Sequence, residues 1–437
     1  MFCVARDPLR TAHTVGSAVS ASVKRSSFLS TPIFLAVQLL RTARPNYPNA
    51  CETLAPAHAG VTLNHSAGLG NSRSTLVKEQ LAPGARPQGD NLSAQPLQPM
   101  PVLQQLPLVT LYLTERCNSR CVTCDYWRHG RNDLNLESVR RLLPSLAQLQ
   151  TRVALISGGE PLLNPQWREI AGLLRSSGLQ LWLLTSGLSL AKNAQQACAL
   201  FQSITVSIDG TDPDTYRAIR GLDAFENVCA GARAAAAQGV PVGIRVTLQR
   251  ANYRQLPGFV ELAKRLGAQQ VSFLAVDVAN PHAFARTDEF VSDLALHPED
   301  LDELERILGA MELKYADEFR SGFIAENPRK LRRIQQYFSA VCGRGPYPPV
   351  RCNVIEFSAV IGADGRVNPC FFIPGPSTSR AGNDLGDALN TDTMLGLRNS
   401  IAQGGRPECA RCVCSMWREP EHRAAADFLL RATQVAL

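Results

Sequence analysis

LVTLYLTERCNSRCVTC, Leu108 to Cys124, joins two signals in one stretch. Leu108 to Thr114 reads as a β-strand, because β-branched and aromatic residues are interleaved with leucine over seven positions. The polar segment that follows places Cys117, Cys121 and Cys124 in the loop after that strand. Four thiolates would fill a tetrahedral zinc site or saturate an iron–sulfur cluster, whereas three leave one metal position open to a ligand. The competing reading is half of a zinc site completed elsewhere, although zinc sites usually pair two short Cys/His spacings.

Downstream, strand-length apolar runs alternate with amphipathic stretches. LVTLYLT precedes LNLESVRRLLPSLAQL, RVALISG precedes PQWREIAGLLRSSG, and QLWLLTSG precedes SLAKNAQQACALF. SITVSID then leads to AFENVCAGARAAAAQG, VPVGIRVTLQ to YRQLPGFVELAKRLG, and QQVSFLAV to PEDLDELERILGAME. Six strand–helix units in succession imply a parallel sheet, since each strand returns to the sheet through a helical crossover. They stop two short of a closed eightfold barrel, so the expected fold is α/β, a partial (β/α)6 TIM-like barrel. Functional residues are expected where strands end and loops begin.

Composition sets the bounds. The chain has 437 residues, 45% hydrophobic, enough for one large domain or two ordinary ones. Thirteen cysteines, clustered in two places, favour metal or redox chemistry in a reducing compartment over a disulfide framework. Cys198 and Cys229 lie in helix-like runs and read as structural thiols. The net charge of +7 has no long basic run behind it, so no nucleic-acid partner is expected.

Residues 1–100 lack sustained periodicity and end in a Pro/Gln/Gly-rich passage that reads as a disordered extension. The apolar run at 28–40 is 13 residues long and contains Pro32, short for a membrane span, so no membrane partner is expected. Basic residues from Arg6 to Arg44 with Asp7 as the one early acid fit a targeting peptide. The alternative is that translation starts at Met100, just ahead of the first strand. The expected location is cytoplasmic, with organelle targeting if residues 1–99 are translated.

The C-x3-C-x2-C loop after the first strand resembles the radical S-adenosylmethionine (SAM) superfamily, and four further motifs follow in that family's order over roughly 107–276. The resemblance implies a [4Fe–4S] cluster held by Cys117, Cys121 and Cys124, with SAM on the fourth iron. ISGGEPLL, with Gly158, Gly159 and Glu160, matches the stretch that receives the SAM amino group. LLTSG carries Ser186 where the family usually has Asn. Ser207 in SIDG and Arg220 match partners of the SAM ribose and carboxylate, for which a guanidinium fork is suited. Arg245 and Thr247 in IRVTLQ match polar contacts beside adenine. One departure is Thr123, where the family places an aromatic residue; Tyr126 or Trp127 is expected to cover that face.

A second cysteine group lies beyond the barrel. CNVIEFSAVIGADGRVNPC at 352–370 reads as a hairpin turning on Ala-Asp-Gly, and ECARCVC follows a helix over DTMLGLRNSIA. C-x12-G-x4-C followed by C-x2-C resembles the SPASM/Twitch subgroup, and the shorter Twitch form with one auxiliary [4Fe–4S] cluster is the better match. Its expected ligands are Cys352, Cys370, Cys409 and Cys412, with Cys414 or Cys342 as substitutes and a zinc ribbon as the rival. The expected domains are 1–100, a barrel at 101–325, and linker helices with a Twitch-type auxiliary domain at 326–437.

These resemblances imply an enzyme that cleaves SAM reductively, abstracts hydrogen from a peptide or small-molecule substrate, and draws electrons from a reductant such as flavodoxin or ferredoxin. The auxiliary cluster would assist a net oxidation or bond formation. Asp277, His282 and Arg286, in the loop after the sixth strand, are candidate substrate contacts. Cofactor biosynthesis, methyl transfer and a non-catalytic metal scaffold are the alternatives.

Overall fold

A computed structural model describes residues 100–419 apart from 281, 282, 285, 287–291 and 383. The N-terminal segment, His282 and the residues after Glu419 therefore lie outside the described residues. Strand β1 (Leu108–Thr114) is followed by helix α1 (Leu136–Gln148), whose N-cap Asn135 accepts a hydrogen bond from the Ser138 amide. The alternation continues with β2 (Val153–Gly158), α2 (Trp167–Ser176), β3 (Gln180–Thr185), α3 (Leu190–Leu200) and β4 (Ser203–Ser207). Two helices, α4 (Pro213–Arg220) and α5 (Phe225–Ala237), lead to β5 (Val242–Leu248), then α6 (Leu256–Arg265) and β6 (Gln270–Ala275).

All five pairings from β1 to β6 are parallel and between sequence neighbours, so each crossover adds a strand on the same side. That is the expected partial barrel.

After β6 the chain runs through α7 (Leu301–Lys314), α8 (Ala316–Ser321) and α9 (Pro328–Val341) and then returns to the sheet. The expected hairpin forms from β7 (Ser358–Ile361) and β8 (Val367–Asn368). Strand β7 pairs in parallel with the free edge of β1, giving the order β6-β5-β4-β3-β2-β1-β7-β8. The hairpin thus extends the barrel's own sheet and covers the edge that β1 would otherwise expose. Two short helices, α10 (Leu385–Asn390) and α11 (Asp392–Ala402), follow, and α11 matches the expected helix.

Two apolar layers result. Residues such as Leu111, Ile156, Leu183, Val206 and Ile244 belong to the large core that also contains the helices' buried faces. On the opposite face, Leu108, Val153 and Leu155 pack with Val354, Ile355, Phe357 and Met416, so the returning chain plugs part of the barrel interior. Strands β3 to β5 alternate buried and half-buried residues, which leaves their inward positions bordering a space.

Candidate functional site

The first cysteine loop is held by its backbone. The Arg120 and Val122 amides each donate at 3.0 Å to carbonyls at the end of α4, those of Arg220 and Ile219. Arg286 donates from Nε and Nη2 to the Thr123 carbonyl at 3.2 and 3.0 Å, and from Nη1 to the Asp277 carbonyl at 2.8 Å. The Trp127 indole donates to the Cys121 carbonyl at 3.4 Å. With the carbonyls turned outward into these contacts, three free, half-buried thiols remain in one short loop at the strand ends. Burial pushes the Cys117 and Cys124 thiols up to about 12, which disfavours bare thiolates there and suits sulfurs that a metal deprotonates.

Arg220 supplies the compensating charge. Its Nη1 lies 3.6 Å from Cys121 Sγ and its Nε 2.7 Å from Asp209 Oδ2. Burial opposes the guanidinium's charge, yet Asp209, Cys121 and Tyr216 together outweigh it and hold the group firmly protonated. Asp209 is 2% exposed and also accepts from the Thr247 amide at 2.7 Å, which links β4, β5 and the cysteine loop. The sequence reading singled out Ser207 and Arg220 but missed Asp209; an acid two residues beyond Ser207 at a strand end was the available signal. Ser207 makes no side-chain hydrogen bond among the described residues and pairs in register with Arg245.

The glycine-rich segment also packs two loops together. Gly158 has φ +125°, and a Cβ there would meet the Thr114 carbonyl oxygen at 2.3 Å. A Cβ on Gly159 would meet the Arg116 carbonyl oxygen at 2.3 Å. In their absence the Gly159 and Glu160 amides donate at 2.8 Å to Thr114 and Arg116, zipping the loops after β1 and β2 together. Glu160 is fully buried and accepts from the Thr185 hydroxyl at 2.8 Å, the Leu162 amide at 3.2 Å, and the Ser186 amide and hydroxyl at 2.7 and 2.6 Å. Burial raises its pKa and these donors resist the rise. Ser186 thereby serves Glu160 directly.

The second group is assembled over a longer range. Cys352, Cys370, Cys409, Cys412 and Cys414 are all free. Asn353 staples the first segment to the last: its amide donates to the Met416 carbonyl at 2.9 Å, its side chain donates to the Arg418 carbonyl at 2.7 Å, and its Oδ1 accepts from the Arg418 amide at 2.9 Å. Burial raises the thiols of Cys370, Cys409 and Cys412, and the charge of Cys352 reaches all three. Cys414 lies beside Cys412 and within reach of the charge of Cys352, and its neighbours Arg245 and Lys330 oppose the effect of burial. Cys342 instead lies 3.2 Å from the Leu296 carbonyl. Among the described residues no three His, Cys, Asp or Glu side chains converge on a single metal ion. Soft free thiols in two groups, one flanked by Arg220 and the other by Arg245, fit iron–sulfur clusters.

Between the groups stands Tyr112, which the sequence reading passed over as a strand residue. Its ring meets Tyr126 edge-on at 6.1 Å and Phe371 at 6.5 Å, side chains that neighbour Cys124 and Cys370. Thiolates at Cys124, Cys370 and Cys414 all raise its phenol's pKa, after burial. Tyr126 thus covers Tyr112, while Trp127 secures the loop. Arg245 borders a cavity with Cys412 and Cys414. Asp277 accepts from the Ala279 and Asn280 amides at 2.9 and 3.0 Å, and with Arg286 it shapes the cysteine loop's support. No helix of the described residues is long and apolar enough to cross a membrane.

Comparison with known proteins places this site in a family. Residues 111–263 match the family model described as the Radical SAM superfamily. The Fe-coproporphyrin III synthase of Methanosarcina barkeri is 24% identical over 329 residues, covering 70% of this chain and 80% of that protein. The AdoMet-dependent heme synthase of the same organism is 31% identical over 167 residues, 37% of this chain and 48% of that one. The GTP 3',8-cyclase of Shewanella denitrificans is 34% identical over 165 residues, 36% of this chain and 49% of that one. Streptococcus suis SuiB bound to its precursor peptide SuiA shares the fold at 14% identity and TM-score 0.51, covering 68% of this chain and 67% of that one. Residues 111–263, with the cysteine loop, thus form a radical SAM domain, the domain of enzymes that use a [4Fe–4S] cluster and S-adenosylmethionine.

Proposed function

We propose that the chain modifies a small-molecule cofactor precursor by hydrogen abstraction, with a second [4Fe–4S] cluster assisting a net oxidation. Cys117, Cys121 and Cys124 would hold the first cluster. When bound, that cluster would supply the one-electron reduction that cleaves SAM and initiates hydrogen abstraction. Cys352, Cys370, Cys409 and Cys412 would hold the second, because the charge of Cys352 reaches the other three; Cys414, which lies beside Cys412 and also meets Arg245 and Lys330, is the alternative to Cys412. Arg220 and Asp209 orient the first loop, and Tyr112 separates the two groups inside the barrel.

The observation that carries the substrate class is the reach of the likeness to the Fe-coproporphyrin III synthase, which spans 329 residues where the matched domain ends at 263. Two other relatives are a heme synthase and a pre-heme d1 synthase, so a tetrapyrrole precursor is the first substrate to test. A peptide substrate rests on fold likeness alone.

The test is anaerobic reconstitution of the full chain, with iron and sulfide counted, then dithionite and SAM added and 5′-deoxyadenosine measured. Two clusters give about eight irons per chain with 5′-deoxyadenosine formed. Zinc in place of iron with SAM intact sinks the reading. Faster 5′-deoxyadenosine formation with iron coproporphyrin than without it would support the substrate class.

A further inference from the structure

We propose that the cavity between β5, α9 and the Cys412–Trp417 segment is a carboxylate-binding site, with Arg245 as its receptor and Lys330 as its second cation. The proposal deepens the functional reading above and names the substrate group that this enzyme grips. The cavity measures about 240 Å³, a volume for a small ligand or one arm of a larger one. Its described lining carries three cations, Arg245, Lys330 and Arg333, against one carboxylate, Glu326.

Glu326 is already engaged. It is 2% exposed, its Oε2 accepts from the Phe273 amide at 2.7 Å, and its Oε1 lies 3.9 Å from Lys330 Nζ. Arg333 donates to the Pro349 carbonyl. Arg245 forms no such hydrogen bond among the described residues, although the charges of Glu326 and Cys414 both favour its guanidinium. Its Nε is sealed from solvent without a hydrogen bond, and the residue lines the cavity. A buried donor left open is unfavourable, more so on a charged group, so an anion in the cavity would stabilise the guanidinium. A carboxylate suits the guanidinium's planar fork, and one negative charge leaves the lining near balance.

The site also lies where a substrate belongs. Arg245 stands in register with Ser207 at the end of β4 and two residues before Thr247, whose amide meets the Asp209 carboxylate that pairs with Arg220. Cys412 and Cys414 also line the cavity. A rival account of the same cations is that they neutralise the second cluster.

Saturation-transfer NMR on the reconstituted full chain decides between them, with glutarate as the probe and glutaramide as its uncharged counterpart. The expected result is glutarate binding in about the millimolar range, no glutaramide binding, at least a tenfold loss in Arg245→Met, and recovery to within about threefold in Arg245→Lys. Iron content and the thermal midpoint are read in the same samples, so that the Lys variant keeps the test decisive if the Met variant folds poorly. Equal glutarate affinity in wild type and Arg245→Met overturns the proposal, as does equal binding of glutaramide. Unchanged affinity together with a shifted potential of the second cluster assigns the cations to the cluster instead. Binding is measured without turnover: loss of SAM cleavage sinks the functional reading and leaves this one standing, whereas SAM cleavage without glutarate binding sinks this one alone.

Discussion

The first cysteine group occupies one short loop, Cys117 to Cys124, whereas the second is gathered from three separated segments that carry Cys352, Cys370 and the run from Cys409 to Cys414. In the first, sequence spacing alone brings the thiols together, and the rest of the barrel clamps the loop through Arg220, Ile219, Arg286 and Trp127. In the second, nothing local brings Cys352 to Cys412; a hairpin added to the sheet edge and the Asn353 staple do so. The contrast teaches that the first site is robust to distant change and the second depends on tertiary closure.

Substitutions can break this contrast. The largest effect is expected in Cys117→Ala, Cys121→Ala and Cys124→Ala, each of which should bring 5′-deoxyadenosine to background in an anaerobic SAM-cleavage assay. Cys370→Ala should lower the iron count by about four per chain and stop product formation, with reductive SAM cleavage still measurable. Normal substrate processing by that variant would show the second group to be dispensable.

Asn353→Ala sharpens the comparison because it touches no cysteine. Loss of its side-chain bonds to the Arg418 backbone should cost about 2 kcal/mol and lower iron retention at the second site, with the first site's iron unchanged. Iron loss from both sites alike in a chelator time course would mean that the groups are not independently built. The smallest effect is expected from Tyr112→Phe. The Tyr112 hydroxyl makes no hydrogen bond among the described residues, so the thermal midpoint should stay within about 1–2 °C, corresponding to under about 0.5 kcal/mol. A fall in product per 5′-deoxyadenosine in that variant would give the hydroxyl a part in coupling the two groups; an unchanged ratio would leave Tyr112 as a spacer.

Much of this protein was legible in order along the chain. The alternation of strand and helix periods predicts six parallel strands, and all six form with their helices, because each unit is specified by local patterning and one crossover. The cysteine loop, the Ala-Asp-Gly hairpin and the helix over 392–402 were readable for the same reason. Residue identity was a poorer guide to residue role. Gly158 and Gly159 match a ligand-binding motif, yet their missing side chains admit the backbone of the preceding loop. Arg245 matches a cofactor contact, yet it borders a cavity walled by residues more than 160 positions downstream. Asp209 and Tyr112 were passed over because an acid at a strand end and an aromatic in a strand carry no local signal of what they face.

The sequence by itself determined the barrel, the open-site cysteine loop and the existence of a second thiol group, since each is written in spacing over a few tens of residues. Tertiary structure alone decided that β7 closes on the free edge of β1, that Cys414 comes near Arg245 as well as Cys412, and that Arg286 holds the Thr123 carbonyl. These depend on contacts between segments far apart in the chain, and side-chain direction at such contacts is set by packing and by the satisfaction of buried polar groups, for which no short pattern exists.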